Sequence, residues 1–432
     1  MRRASAGVVV LLALPAVVLA QEAFPPPDFT TGYQFPQITT PGPREQIFSY
    51  VDIGVLVLTL ALATYLSIWK RSRRELVVLV IFSLAYFGFY RKGCICAIGA
   101  IQNVALAVGN ADYQLPLVAA AFILLPLLFA LFFGRVFCAA VCPLGAIQDI
   151  VLLRPIKVPG WLESPLGLMP FVYLGAAVLF AYTDSAFIIC QHDPFVAFFR
   201  LGGSTAMLIF GAAVLLVATV VGRPYCRFAC PYSALLRMLA PLARWQPYLT
   251  REECVQCNLC ADACPFGAIK APTPTEDAPP RRAGKGTLAG LLVLLPLLVV
   301  MGGLLGWASS PVLSRLHYKV RLAERIWAEE QGTVEGTTDE SDAFYHLIVP
   351  SAELYREAGQ IRGRFDTGSA LLGAWVGLVI GVRLIAMSVR RRREGYEIDL
   401  AACMACGRCY ESCPLELARK RGDGVQYAQD KL

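Results

Sequence analysis

Eight cysteines fall in two runs of one spacing, Cys254-x2-Cys257-x2-Cys260-x3-Cys264-Pro265 and Cys403-x2-Cys406-x2-Cys409-x3-Cys413-Pro414. Thiolates favour soft metals, and in the bacterial ferredoxin spacing three close cysteines wrap one cubane while the fourth reaches the other cluster. That rule assigns Cys254, Cys257, Cys260 and Cys413 to a first [4Fe–4S] cluster, and Cys403, Cys406, Cys409 and Cys264 to a second. A zinc site usually uses two separated pairs instead. The chemistry of such centres is one-electron transfer. Separate single-cluster lobes, or completion by another subunit, are the other arrangements the spacing allows.

A second pattern is also doubled. Gly134-Arg135-Val136-Phe137-Cys138-x3-Cys142-Pro143 recurs as Gly222-Arg223-Pro224-Tyr225-Cys226-x3-Cys230-Pro231, each copy at the end of an apolar segment. Cysteines four apart would share a helix face. Two such pairs, Cys138, Cys142, Cys226 and Cys230, could offer four thiols to one centre, iron–sulfur or another metal. Buried helical cysteines that bind nothing are the plainer reading. One helix before each copy, on the opposite side, stand Cys94 and Cys96 in one half and Cys190 with His192 in the other. Three thiols and an imidazole there would suit an external iron–sulfur or soft-metal centre.

These residues need a membrane scaffold. Of 432 residues, 56% are hydrophobic and 16% charged, and the mean hydropathy is +0.55. The class expected is an α-helical integral membrane protein with a cytoplasmic 2[4Fe–4S] ferredoxin-like module. About seven runs approach the roughly 20 apolar residues that a bilayer core requires. They lie near 50–69, 75–90, 115–133, 168–183, 204–221, 287–307 and 369–389. A signal-like start, Arg2-Arg3 then Val8 to Leu19 and Ala20, predicts a cleaved peptide over 1–20. A Pro-rich external tail follows over 21–49, then a five-helix membrane domain over 50–245 that carries both GRxxCxxxCP copies. The first ferredoxin half (246–286), a helix (287–307), an external segment (308–368), a helix (369–389) and the second half (390–432) complete the order. Within the external segment, 311–330 reads as an amphipathic helix, followed by a loop at Gly332 and Gly336.

Basic residues collect on the cytoplasmic side. Lys70 to Arg74, Arg154 with Lys157, Arg223 with Arg227, Arg281-Arg282 and Arg390 to Arg393 share one face if the mature N-terminus is periplasmic and the C-terminus cytoplasmic. Arg91-Lys92 is the exception. The net charge of +7 then speaks for a membrane surface, not nucleic acid. Twelve of the fifteen cysteines fall on the reducing side, and neither the tail nor the long external segment holds one, against a disulfide framework. No nucleophile–base constellation or phosphate loop stands out, so no catalytic residue is assigned. Three histidines, His192, His317 and His346, cannot supply facing haem pairs. Asp52 reads as a solvated residue at a helix start or, less plainly, a proton acceptor.

Tandem GRxxCxxxCP copies followed by CxxCxxCxxxCP runs resemble the membrane polyferredoxins of the NosR and NapH family over about 76–270 and 390–415. The resemblance implies a bacterial inner-membrane, multi-pass electron-transfer subunit of an oxidoreductase complex. It would carry electrons between a cytoplasmic carrier or the quinone pool and a periplasmic flavin- or metal-containing redox partner. Some family members support maturation of a metalloenzyme, which is the alternative. The NosR branch has a large external flavin domain where this chain has a short tail, so no flavin is expected on this polypeptide.

Overall fold

The computed structural model describes residues 45–93, 96–249, 254–273, 281–347, 349–389 and 393–421, with backbone alone for 281–285. The signal-like segment, almost all of the Pro-rich tail and Cys94 lie outside the described residues. Four described helices are long and apolar enough to cross a membrane: Gln46–Trp69, Gly160–Tyr182, Gly286–Ser314 and Ser351–Ser388. Leu117–Phe133 and Thr205–Ala218 are apolar but shorter, and Ala97–Gly109 is an apolar helix outside the seven expected runs. The run at 75–90 is divided, an α-helix Arg73–Ser83 passing into a π-helical stretch Leu84–Tyr90.

Helices Arg281–Ser314 and Ser351–Ser388 form a hairpin between the two cysteine runs. Their contact is made by glycine. A Cβ on Gly306 would stand 2.0 Å from the Ser369 carbonyl oxygen, and one on Gly377 2.2 Å from that of Leu298. In lipid, where apolar side chains gain little by meeting each other, this close backbone approach is what packs two helices. Beyond the hairpin, the first helix runs on through Pro311 to Ser314, so the amphipathic helix expected from 311 starts at Tyr318 and ends at Glu330. It shares a small core of Val320, Ile326, Phe344 and Leu354 with Asp339–His346, a helix opened by a Thr338–Ser341 capping box, and the start of Ser351–Ser388.

Two charge readings are corrected. Asp52 is fully buried, accepts from the Tyr86 hydroxyl at 2.8 Å and pairs with Arg91 at 2.9 Å, so it is not a solvated end residue. The same pair gives Arg91, the exception to the charge asymmetry, a carboxylate partner. Arg71 and Arg73, expected as surface markers of the cytoplasmic side, are buried. Arg71 pairs with buried Glu416 and lies 4.3 Å from the Tyr248 ring and 5.0 Å from that of Tyr410. A buried guanidinium needs such a partner and such faces.

Candidate metal centre

The two cysteine runs fold alike. Gln256 and Asn258 are left-handed (φ 53° and 64°), and Ala405 and Gly407, at the matching places in the second run, are too (50° and 76°). Each loop then enters one short helical turn, Leu259–Asp262 or Arg408–Glu411. Left-handed residues turn the chain tightly around a centre, and asparagine and glycine tolerate that conformation best. The halves are joined by an antiparallel pair, Ile269 opposite Ile398 and Lys270 opposite Glu397.

Cys254, Cys257 and Cys260 line a small cavity of about 20 Å³, and Cys413, from the other run, lines it with them. Burial first, then the charges of Cys413 and Cys254, push the Cys260 thiol up to about 11. In the second set, Cys409 is raised well above its usual value by burial and then by Cys406, Cys403 and Cys264. Thiols held protonated by one another's charge release protons when a metal takes them. Among the described residues no three His, Cys, Asp or Glu side chains converge on a single-ion site. A cubane spreads its four cysteine sulfurs more widely than one ion does, so an all-sulfur set around a small cavity fits a cluster.

The membrane copies depart from the expected helix-face pairing. Cys138 lies in a π-helical turn, Phe137–Val141, while Cys142 precedes the next helix, Pro143–Ile150, as its N-cap. Cys226 lies in Pro224–Phe228, and Cys230 caps Pro231–Leu239. Proline forces the residue before it into extended backbone, so each pair straddles a helix break. The copies nonetheless face each other. Arg223 donates to the Cys138 carbonyl and, at 3.0 Å, to that of Ala139; Arg135 donates to Ser233 at 2.7 Å. Gln148 donates to Cys226 Sγ at 3.3 Å and accepts from the Tyr225 amide at 3.0 Å.

A buried charged layer ties these copies to the cysteine runs. Asp149 pairs with Arg73, with Arg223 at 3.3 Å and with Arg408 at 3.4 Å. Burial would push its carboxyl up, but Arg223, then Arg73 and Arg408, hold it down at about 2. Arg73 also donates to the Cys406 carbonyl at 3.2 Å, and Arg135 to that of Ala401 at 3.0 Å. Cys226 shares a buried cluster with Cys260, Cys264 and Cys406. A Cβ on Gly222 would stand 2.8 Å from Pro265 Cβ, so the second GR copy presses on the closing CP of the first run. Sequence reading missed Arg73, Gln148 and Asp149 as parts of the site; the adjacent Gln148 and Asp149 in the otherwise apolar helix Pro143–Ile150 were the available signal.

Of the external group, Cys96 lies within electrostatic reach of Cys190 and Asp193, and also of Cys142 and Cys230. Cys190 donates its amide to Gln102 at 3.4 Å. His192 is exposed, with its Nδ1 2.9 Å from the Ile188 carbonyl oxygen. Cys96 is thus a neighbour of the membrane thiols, which the two-centre reading had kept apart from it.

Comparison with known proteins agrees on iron–sulfur chemistry. A family profile described as a 4Fe-4S binding domain matches 115–159 and 204–247, which contain the two membrane copies, and a second profile so described matches 247–270. YccM of Escherichia coli K12, whose name refers to electron transport, is 29% identical over 172 residues, 35% of this chain and 48% of that protein. NirI of Paracoccus denitrificans is 32% identical over 152 residues (32% and 22%), and the regulatory protein NosR of Pseudomonas aeruginosa 28% over 211 (44% and 28%). The chain spans about half the length of YccM and under a third of NirI and NosR. No solved structure matches it. The chain is similar to NosR-type 4Fe–4S membrane proteins, as its motifs imply.

Proposed function

We propose that this chain is the electron-transfer subunit of a membrane oxidoreductase complex, working between a cytoplasmic carrier or the quinone pool and a periplasmic flavin- or metal-containing partner. Its seven apolar runs cross the inner membrane, with both cysteine runs on the cytoplasmic side. Cys254, Cys257, Cys260 and Cys413 hold one [4Fe–4S] cluster, and Cys403, Cys406, Cys409 and Cys264 the other. When bound, such clusters accept and release single electrons.

The observation that carries the reading is the packing of the cysteine runs directly on the membrane copies, through Cys226, Pro265 and the Asp149 layer. Electron transfer needs closely spaced centres, and these contacts set the two motif types directly against each other. Arg135 reaches the Cys138 sulfur at 3.9 Å, and Arg223 donates to the Cys138 carbonyl. Cys138, Cys142, Cys226 and Cys230, with Cys96 beside them, supply the next ligand set toward the periplasm.

Iron content and electron paramagnetic resonance of the purified chain test this. About eight iron atoms, four per cluster, are expected from the cytoplasmic pair, and more if the membrane thiols also hold iron. Content near four, or no reducible [4Fe–4S] signal, would remove the paired assignment.

A further inference from the structure

The largest cavity among the described pockets, about 920 Å³, has no part in that reading. It lies where the end of the Ser351–Ser388 helix meets the 169–182 helix and the second cysteine run. One wall is apolar, formed by Phe171, Trp375, Leu378 and Val382. Leu378 and Val382 are also partly open on the outside of their helix.

The other wall is cationic. Arg237, Lys270, Arg383 and Arg393 line it, and none has a carboxylate partner among the described residues. Its two acids are already engaged: Glu163 pairs with Arg227 at 2.5 Å, and Asp399 accepts from the Ala401 amide at 3.1 Å. Arg237 donates only to backbone carbonyls, those of Gly167 and Arg227, and its buried Nε has no acceptor. Burial, then Arg135, Arg227 and Arg383, press its guanidinium down to about 10, with Glu163 pulling the other way.

An apolar trough with a cationic mouth at a membrane face is the shape of an anionic amphiphile. A neutral headgroup such as a quinone would leave all four cations uncompensated. We propose that this cavity binds an anionic phospholipid, its phosphate on Arg237 and Arg383 and its acyl chains along the Trp375–Val382 face. Ala401 and Ala402 line the same cavity, so the lipid stands against the loop that leads into Cys403.

The test uses the full chain in vesicles containing either brominated phosphatidylglycerol or brominated phosphatidylcholine, reading quenching of tryptophan emission. The anionic lipid is expected to quench more strongly, and the difference to vanish in Trp375→Phe. Its preference should fall about fivefold in Arg383→Gln, the weight of one cation near an anionic surface, and further in Arg383→Glu. Arg383 is exposed, so these variants keep the fold where Arg237→Gln could lose it. Iron content, read in the same samples, should stay unchanged and separates this result from the electron-transfer reading. Equal quenching by the two lipids, a preference unmoved in both Arg383 variants, or its abolition by excess inorganic phosphate would each overturn the proposal.

Discussion

The chain contains two doubled cysteine motifs, and the copies behave differently. The two CxxCxxC runs repeat each other down to the backbone, left-handed at Gln256 and Ala405 and again at Asn258 and Gly407. The two GRxxCxxxCP copies share letters but not conformation. In the first copy the glycine takes positive φ (Gly134, 73°); in the second the arginine does (Arg223, 47°). Gly134 has open space around its missing Cβ, whereas Gly222 is pressed against Pro265. Equivalent loops suit equivalent ligand sets. The unequal membrane copies have unequal neighbours instead: the second presses Gly222 on Pro265 of the first cysteine run, while the first reaches the second run through Arg135 and the Ala401 carbonyl.

The largest effect that would break this comparison is at the shared ligand. Cys413→Ser should reduce iron from about eight atoms to about four and abolish the signal of the Cys254, Cys257 and Cys260 cluster. Loss of the other cluster alone would reject cross-ligation. Cys226→Ser should leave the two clusters proposed for the CxxCxxC runs in place; any iron lost beyond theirs belongs to the GRxxCxxxCP thiols.

Next comes the layer between the motifs. Asp149→Asn leaves Arg73 and Arg223 buried without their carboxylate, a loss of about 3–5 kcal/mol for a broken buried pair. Because the folded Asp149 carboxyl is held at about 2, below the ordinary 3.8, its contribution is whole above pH 3.8 and fades as pH falls through about 2. Denaturation of the iron-free wild type and variant should therefore converge over that window, and a gap that stays constant would discredit the layer.

The smallest effects separate the two glycines. Gly134→Ala should cost about 1–3 kcal/mol through backbone strain alone, with iron retained. Gly222→Ala should displace Pro265 and lower the occupancy of the cluster that includes Cys264, measured as iron per chain. Similar outcomes for both would mean that the copies are alike after all.

Much of this was legible in the sequence because it is local. Ligand spacing, apolar length and the doubled motif sit within a few residues of one another, and so the cysteine runs and the four longest helices were found. The Asp149 layer was not, because its partners, Arg73, Arg223 and Arg408, are remote in sequence and Arg73 sat in a basic run that read as surface. The helix Ala97–Gly109 was missed because Gln102 and Asn103 interrupt its apolar run; Gln102 is in fact fully buried. The helix-face pairing of the CxxxC cysteines failed because Pro143 and Pro231, directly after the second cysteine of each pair, hold Cys142 and Cys230 in extended backbone at the start of a new helix.

The most direct measurement of the central claim is electron transfer across a sealed vesicle. The full chain is placed in liposomes that enclose ferricyanide, and a dithionite-reduced ferredoxin is supplied outside. Reduction of the enclosed acceptor is expected in wild type, and its loss in Cys226→Ser and Cys230→Ser variants that keep the iron of the CxxCxxC runs. Wild-type rates in those variants would contradict a path through the membrane cysteines.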